Sequence, residues 1–235
     1  MKTRVAVITG GTGALGTALA ARLARNGHKL AVTYLIPGEA EQFEATVDLD
    51  EDRLLLRRVD AGEPDRIAEF MDEVVDTFGS LEILCGLVGG WAGGRDVEET
   101  DDVRFDRMID LNLRSAFHTV RAAIPHLRKS GWGRIVLVGS RAAFDTPAGQ
   151  GAFNAAKAGV VALAKTIADE LSDTDITSNV LLPAVIDTPA TRAALPYSDY
   201  VDWPTPDEIA AVAEFLVSDE AGVITGAAIP VYGRA

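Results

Sequence analysis

The chain has 235 residues, a formal charge of −13, 48% hydrophobic and 24% charged content, and one cysteine. That size suits one α/β domain with its own core, and the acidity disfavours nucleic acid and anionic membrane surfaces as partners. No run approaches the roughly 18 apolar residues of a membrane span, the N-terminal MKTRVAVITGG is too short in apolar content for a signal-peptide core, and Cys85 has no partner for an intramolecular disulfide. A soluble cytoplasmic protein is expected.

In chain order, RVAVIT (4–9) reads as a buried strand, and TGGTGALG (9–16) follows it and opens a helix. Glycines in that context let backbone approach a pyrophosphate, and the helix N-terminus offers unpaired N–H groups. KLAVTY (29–34) is the second strand. Its end should sort NAD from NADP, yet it reads TYLIPGE, with Tyr34 and Leu35 where a charge would decide the matter. LLLRRV (54–59) is the third strand, and Asp60 after it is placed either to accept from an adenine amino group or to cap the next helix. In EPDRIAEFMDEVVDTF the residues Ile67, Phe70, Met71, Val74, Val75 and Phe78 form one helix stripe.

EILCGLV (82–88), GRIVLVG (133–139), ITSNVLL (176–182) and AAIPV (227–231) continue the strands, and Pro230 assigns the last to a sheet edge. Helical segments are read near 101–128 and 152–171. Strand alternating with helix predicts an α/β fold, a single Rossmann-type doubly wound parallel sheet of about seven strands flanked by helices. No linker or repeat interrupts the pattern, so residues 1–235 are read as one domain. The stretch 189–206, rich in proline and aromatic residues, is a candidate lid over the carboxyl ends of the strands. His28, His118 and His126 lack metal-ligand spacing, so no metal site is expected.

GAFNAAK (151–157) places Lys157 four residues after Phe153, one helical turn apart. A tyrosine there would pair a phenol with an ammonium for proton transfer, and phenylalanine cannot move a proton.

With these motifs in order, the chain resembles the short-chain dehydrogenase/reductase family over essentially its whole length. TGGTGALG looks like the family's cofactor loop, which implies cofactor contacts from Gly10, Thr12, Gly13, Ala14, Leu15 and Gly16. LNL (111–113) is similar to its catalytic-asparagine motif and gives Asn112, and GRIVLVGS ends in Ser140, the family's serine. AFNAAK resembles Tyr-x-x-x-Lys, with Phe153 at the tyrosine position and Lys157 as the lysine. PAVIDTP (183–189) looks like the loop around the nicotinamide amide, implying Pro183, Val185, Ile186 and Thr188. The family's Asn-Asn-Ala-Gly appears as Gly-Leu-Val-Gly (86–89), where the backbone of Val88, Gly89 and Gly90 would line the adenosine ribose. A narrower similarity to dihydropteridine reductase lies in GGWAGG, in Ala14 within the loop and in DTPATRAALPYSDYVDW, although that relative is expected to keep the tyrosine and lack the serine.

The resemblance implies an oxidoreductase using NAD(H) or NADP(H), with the preference open at Tyr34, and Asp60 beside the adenine. The substrate would be a small molecule with a carbonyl, quinonoid or pterin-like group, contacted by Trp91, Tyr197, Tyr200 and Trp203, and the assembly a homodimer or homotetramer. Lys157 would hold the nicotinamide ribose, Ser140 the substrate oxygen and Asn112 a water near the lysine, with proton transfer weakened or altered by Phe153. The other readings are a non-catalytic dinucleotide-binding protein and an introduced Tyr→Phe change in an active reductase.

Overall fold

Among the described residues, seven strands pair in parallel in the order β3-β2-β1-β4-β5-β6-β7. They are β1 (Val5–Thr9), β2 (Lys29–Tyr34), β3 (Leu54–Arg58), β4 (Ile83–Gly86), β5 (Gly133–Val138), β6 (Ile176–Pro183) and β7 (Ala228–Val231). The computed structural model describes residues 2–198 and 202–234. Pro230 lies in β7, whose only partner strand among the described residues is β6, so no ladder donor is missing from the sheet interior.

Strand alternation sends side chains to two cores. Val5 and Val7 of β1 and Leu84 of β4 enter a cluster with Ile67, Phe70, Met71 and Val74 of α3 (Pro64–Phe78), and with residues of α5 (Ser115–Ser130) and α7 (Gly151–Glu170). Ala6, Ile8, Ile83 and the buried Cys85 enter the other, with α1 (Ala14–Arg25), α2 (Pro37–Thr46) and α9 (Pro206–Leu216). Helices on both faces bury these strands fully, at roughly 1.5–3 kcal/mol for each large aliphatic side chain. Cys85 takes the role of a small hydrophobe there, and burial pushes its thiol up to about 12.

Three details differ from the expectations. The fourth strand stops at Gly86, where the chain turns out along the cleft, instead of running to Val88. The helix read over 101–128 is α4 (Asp102–Ile109) and α5 joined by a π-turn, Asp110–Arg114. The N-cap of α3 is Glu63, not Asp60. Among the described residues, no helix is long and apolar enough to cross a membrane.

The sheet order reverses between β1 and β4, and the carboxyl ends of the strands open there into a crevice, where doubly wound sheets take ligands.

Candidate active site

A cavity of about 1350 Å³ runs along those carboxyl ends. One end is the loop from β1 to α1. Gly10 has φ +65°, a left-handed conformation, and its N–H donates to Thr33 Oγ1 at 3.0 Å. A Cβ on Gly16 would meet the Gly11 backbone at 2.5 Å, so glycine is what lets the helix start this close to the loop. Gly13 is the N-cap and brings no side chain to the first turn, which also holds no acid. The N–H groups of Ala14, Leu15 and Gly16 therefore stand at a positive helix end with no acid of that turn to neutralise them. Gly10, Thr12, Gly13, Ala14, Leu15 and Gly16 all line the cavity.

The next wall carries Tyr34, together with the largely exposed Leu35 and Ile36. Asp60 does not line it, although its neighbours Val59 and Ala61 do. Its carboxylate accepts the N–H of Gly62 at 2.8 Å, closing its own turn. Val88, Gly89 and Gly90 form the opposite wall.

Lys157 and Phe153 share a buried face of α7, and both line the cavity. Lys157 Nζ donates to the Val138 carbonyl at the end of β5 at 2.9 Å, and burial lowers its pKa from 10.5 to about 8. Asn112 lies beneath the wall, fully buried in the π-turn, and does not itself line the cavity. It clasps Gly90 from both sides: Nδ2 donates to the Gly90 carbonyl at 2.9 Å and Oδ1 accepts the Gly90 N–H at 3.1 Å. A Cβ on Gly89 would stand 2.9 Å from Asn112 Oδ1 and 3.0 Å from Lys157 Nζ, so these two polar groups flank one small gap. Ser140 lines the cavity just before the short helix α6 (Ala142–Asp145), with its Oγ accepting the Ala142 N–H at 3.1 Å and its own proton available.

On the outer side, Trp91 is 59% exposed and lines the cavity. Its Nε1 donates to Gln150 Oε1 at 2.6 Å, one turn before Phe153. Pro183, Val185, Ile186 and Thr188 line the floor beyond β6. Thr188 Oγ1 caps the short helix α8 (Pro189–Ala194), and Leu195 and Trp203 close the wall above it. Tyr197 is fully exposed and off the wall, so it brings no phenol to the cavity. Tyr200 lies outside the described residues.

Sequence reasoning left Glu39 unassigned and missed further wall residues, among them Leu111, Val138, Arg141 and Gln150. Val138 acts through its carbonyl and Leu111 through shape, and neither leaves a side-chain signature. Gln150 directly precedes GAFNAAK, and its polar side chain there is a signal that position within the motif could have raised.

A family model described as short chain dehydrogenase matches residues 4–197. D-beta-hydroxybutyrate dehydrogenase of Rhizobium meliloti is 31% identical, with 98% of each chain covered. The 3-oxoacyl-acyl-carrier-protein reductase MabA of Mycobacterium bovis is 32% identical over 98% of this chain and 92% of its own. Among solved structures, levodione reductase superposes with a TM-score of 0.93 at 26% identity, over 99% of this chain and 98% of that one. A 3-ketoacyl-acyl-carrier-protein reductase from Brucella melitensis, complexed with NADH, gives 0.87 at 28%, over 98% and 97%.

Proposed function

The chain belongs to the short-chain dehydrogenase/reductase family, oxidoreductases that bind NAD(H) or NADP(H), and from that premise we propose that it reduces a carbonyl, quinonoid or pterin-like acceptor with the proton arriving by way of Lys157 in place of a phenol. The observation that carries this reading is Lys157 itself. A buried ammonium is costly, and this one opens into the same cavity as the glycine loop and Ser140.

The residues suit the dinucleotide. The uncapped first turn of α1 would take the pyrophosphate, and Gly16 keeps it within reach. Lys157 would hold the nicotinamide ribose, and the backbone of Val185 or Ile186 with the Thr188 hydroxyl would hold the carboxamide. When bound, the dinucleotide supplies the hydride.

The Ser140 hydroxyl would donate to the acceptor oxygen and polarise the bond. An alkyl hydroxyl is too weak an acid to finish the transfer, and Phe153 offers no proton. Lys157, with a pKa of about 8, is matched to proton transfer near neutral pH. One water between its ammonium and the acceptor would pass the proton on, and Asn112, through its clasp on Gly90, would fix the wall beside the lysine. A quinonoid acceptor suits such a route, because the anion formed on hydride addition is delocalised and tolerates delayed protonation. Trp91, Leu195 and Trp203 give it an apolar, aromatic rim, and the described residues of the 189–206 stretch would cover it as part of the same domain. A cytoplasmic homodimer or homotetramer is the assembly this reading expects.

Phe153 favours one second reading, a protein that binds the dinucleotide without turning it over. A thermal-shift titration with NAD, NADH, NADP and NADPH, followed by oxidation of the reduced forms with quinone, diketone and quinonoid pterin acceptors, separates the two. Stabilisation with turnover supports the reductase, stabilisation without turnover the binder, and no stabilisation by any dinucleotide overturns both.

A further inference from the structure

The end of β2 carries no charge at Tyr34, Leu35 or Ile36, yet a carboxylate reaches the same corner from the next element. Helix α2 starts at Pro37, and the Glu39 N–H donates to the Ile36 carbonyl at 3.1 Å, fixing the first turn against the end of the strand. The Glu39 side chain folds back over the glycine loop, where its Oε2 accepts the Thr12 hydroxyl at 3.1 Å. Thr12 is buried and Glu39 half-buried, and both line the cavity beside Tyr34.

A hydroxyl has one proton to give, and Thr12 commits it to Glu39. One carboxylate oxygen is thereby anchored, and the other, which takes no hydrogen bond among the described residues, is left to accept from whatever enters. The cations on the cavity wall, Arg141 and Lys157, belong to the far end beyond β5. Arg57 and Arg58 of β3 do not line the cavity: Arg58 Nε donates to the Leu35 carbonyl at 3.1 Å and Arg57 pairs with Glu73 at 2.7 Å. Among the described residues, the wall of the loop end thus carries one acid and no base where the part of a dinucleotide that follows the pyrophosphate, its adenosine ribose, would lie.

We propose that Glu39 makes this chain select NAD(H) over NADP(H), its carboxylate accepting from the ribose hydroxyls and repelling a 2′-phosphate. The inference rests on the dinucleotide reading above. A phosphate of nearly two negative charges held a few ångströms from a half-buried carboxylate loses enough binding for a preference of roughly a hundredfold.

The test is the dissociation constant of NADH and of NADPH, by calorimetry on the full chain, for the wild type, Glu39→Gln and Glu39→Lys. The wild type is expected to bind NADH about a hundredfold more tightly. Glu39→Gln keeps an acceptor for Thr12 and should narrow the ratio about tenfold through tighter NADPH binding, and Glu39→Lys should bring the ratio to unity or reverse it. Equal binding of the two by the wild type, tighter binding of NADPH, or an unchanged ratio in Glu39→Gln overturns the role of Glu39 alone. Failure of the wild type to bind either dinucleotide overturns the dinucleotide reading and this inference together. The wild-type ratio needs no variant, so a poorly folding substitution does not rescue the proposal.

Discussion

The Lys157 ammonium stands 5.9 Å from the centre of the Phe153 ring, at the outer limit of a cation–π contact. Its close partner is the Val138 carbonyl at 2.9 Å. The cation is thus buried against a ring face and a carbonyl dipole, neither of which carries a compensating charge, and its lowered pKa follows from desolvation.

Removing that charge should stabilise the free protein. Between about 8 and 10.5 the unfolded chain binds the Lys157 proton more readily than the folded one, and below about 8 both hold it. The folded state therefore carries the full cost of the buried charge at neutral pH, roughly 3 kcal/mol by the shift. Lys157→Met should raise the urea midpoint near neutral pH, and its advantage should shrink as pH rises from about 8. The same variant should lose dinucleotide binding. A variant less stable than wild type across the whole range would show that the Val138 contact outweighs the desolvation.

Restoring the phenol should restore the acid. Phe153→Tyr is expected to raise kcat with a quinone or diketone by about 10²- to 10⁴-fold. In the wild type, reduction should slow as pH rises past about 8, where Lys157 loses its proton. Steady-state profiles of the two proteins, with Lys157→Arg as a charge-preserving comparison that removes this limb, measure both effects. A Phe153→Tyr variant no faster than wild type would place the slow step elsewhere.

Filling the gap at Gly89 should damage the site with little effect on the core. The added Cβ of Gly89→Ala would meet Asn112 Oδ1 at 2.9 Å and Lys157 Nζ at 3.0 Å. Overpacking of this kind costs about 1–3 kcal/mol. Dinucleotide affinity, read by thermal shift, should fall at least tenfold while the circular dichroism of the free protein is unchanged.

Acid should act through His28. It is buried, its Nδ1 accepts the Arg4 N–H at 3.1 Å, and burial followed by the Arg4 charge lowers its pKa below 6.5. The unfolded chain then takes up the proton first, so stability is complete above about 6.5 and declines as pH falls below it, by up to about 1.4 kcal/mol per pH unit. Denaturant midpoints from pH 7 to 5 should follow that slope, and His28→Gln should flatten it.

The sheet was legible because parallel strands covered on both faces are continuous apolar runs, as at Val5–Thr9 and Ile176–Pro183. Ser140, Phe153 and Lys157 were legible by motif spacing, and the fold brings all three to one cavity. Asp60 and Tyr197 lie off the cavity wall, because a residue type suited to a role says nothing of where the chain points it: one carboxylate turns into its own loop and one phenol into solvent. Glu39 was passed over because its reach depends on how the first turn of α2 folds back on the loop, a relation between elements that sequence distance conceals.

The π-turn at Asp110–Arg114 stores the asparagine as a phase error. It holds one residue more than an ordinary turn, so α4 and α5 are offset by about 100° from the single rod they would otherwise make. Deleting one residue from this segment would give a longer, better-bonded helix and would swing Asn112 away from Gly90. Chain length in this turn, as much as the identity of residue 112, is what keeps the clasp on the cavity wall.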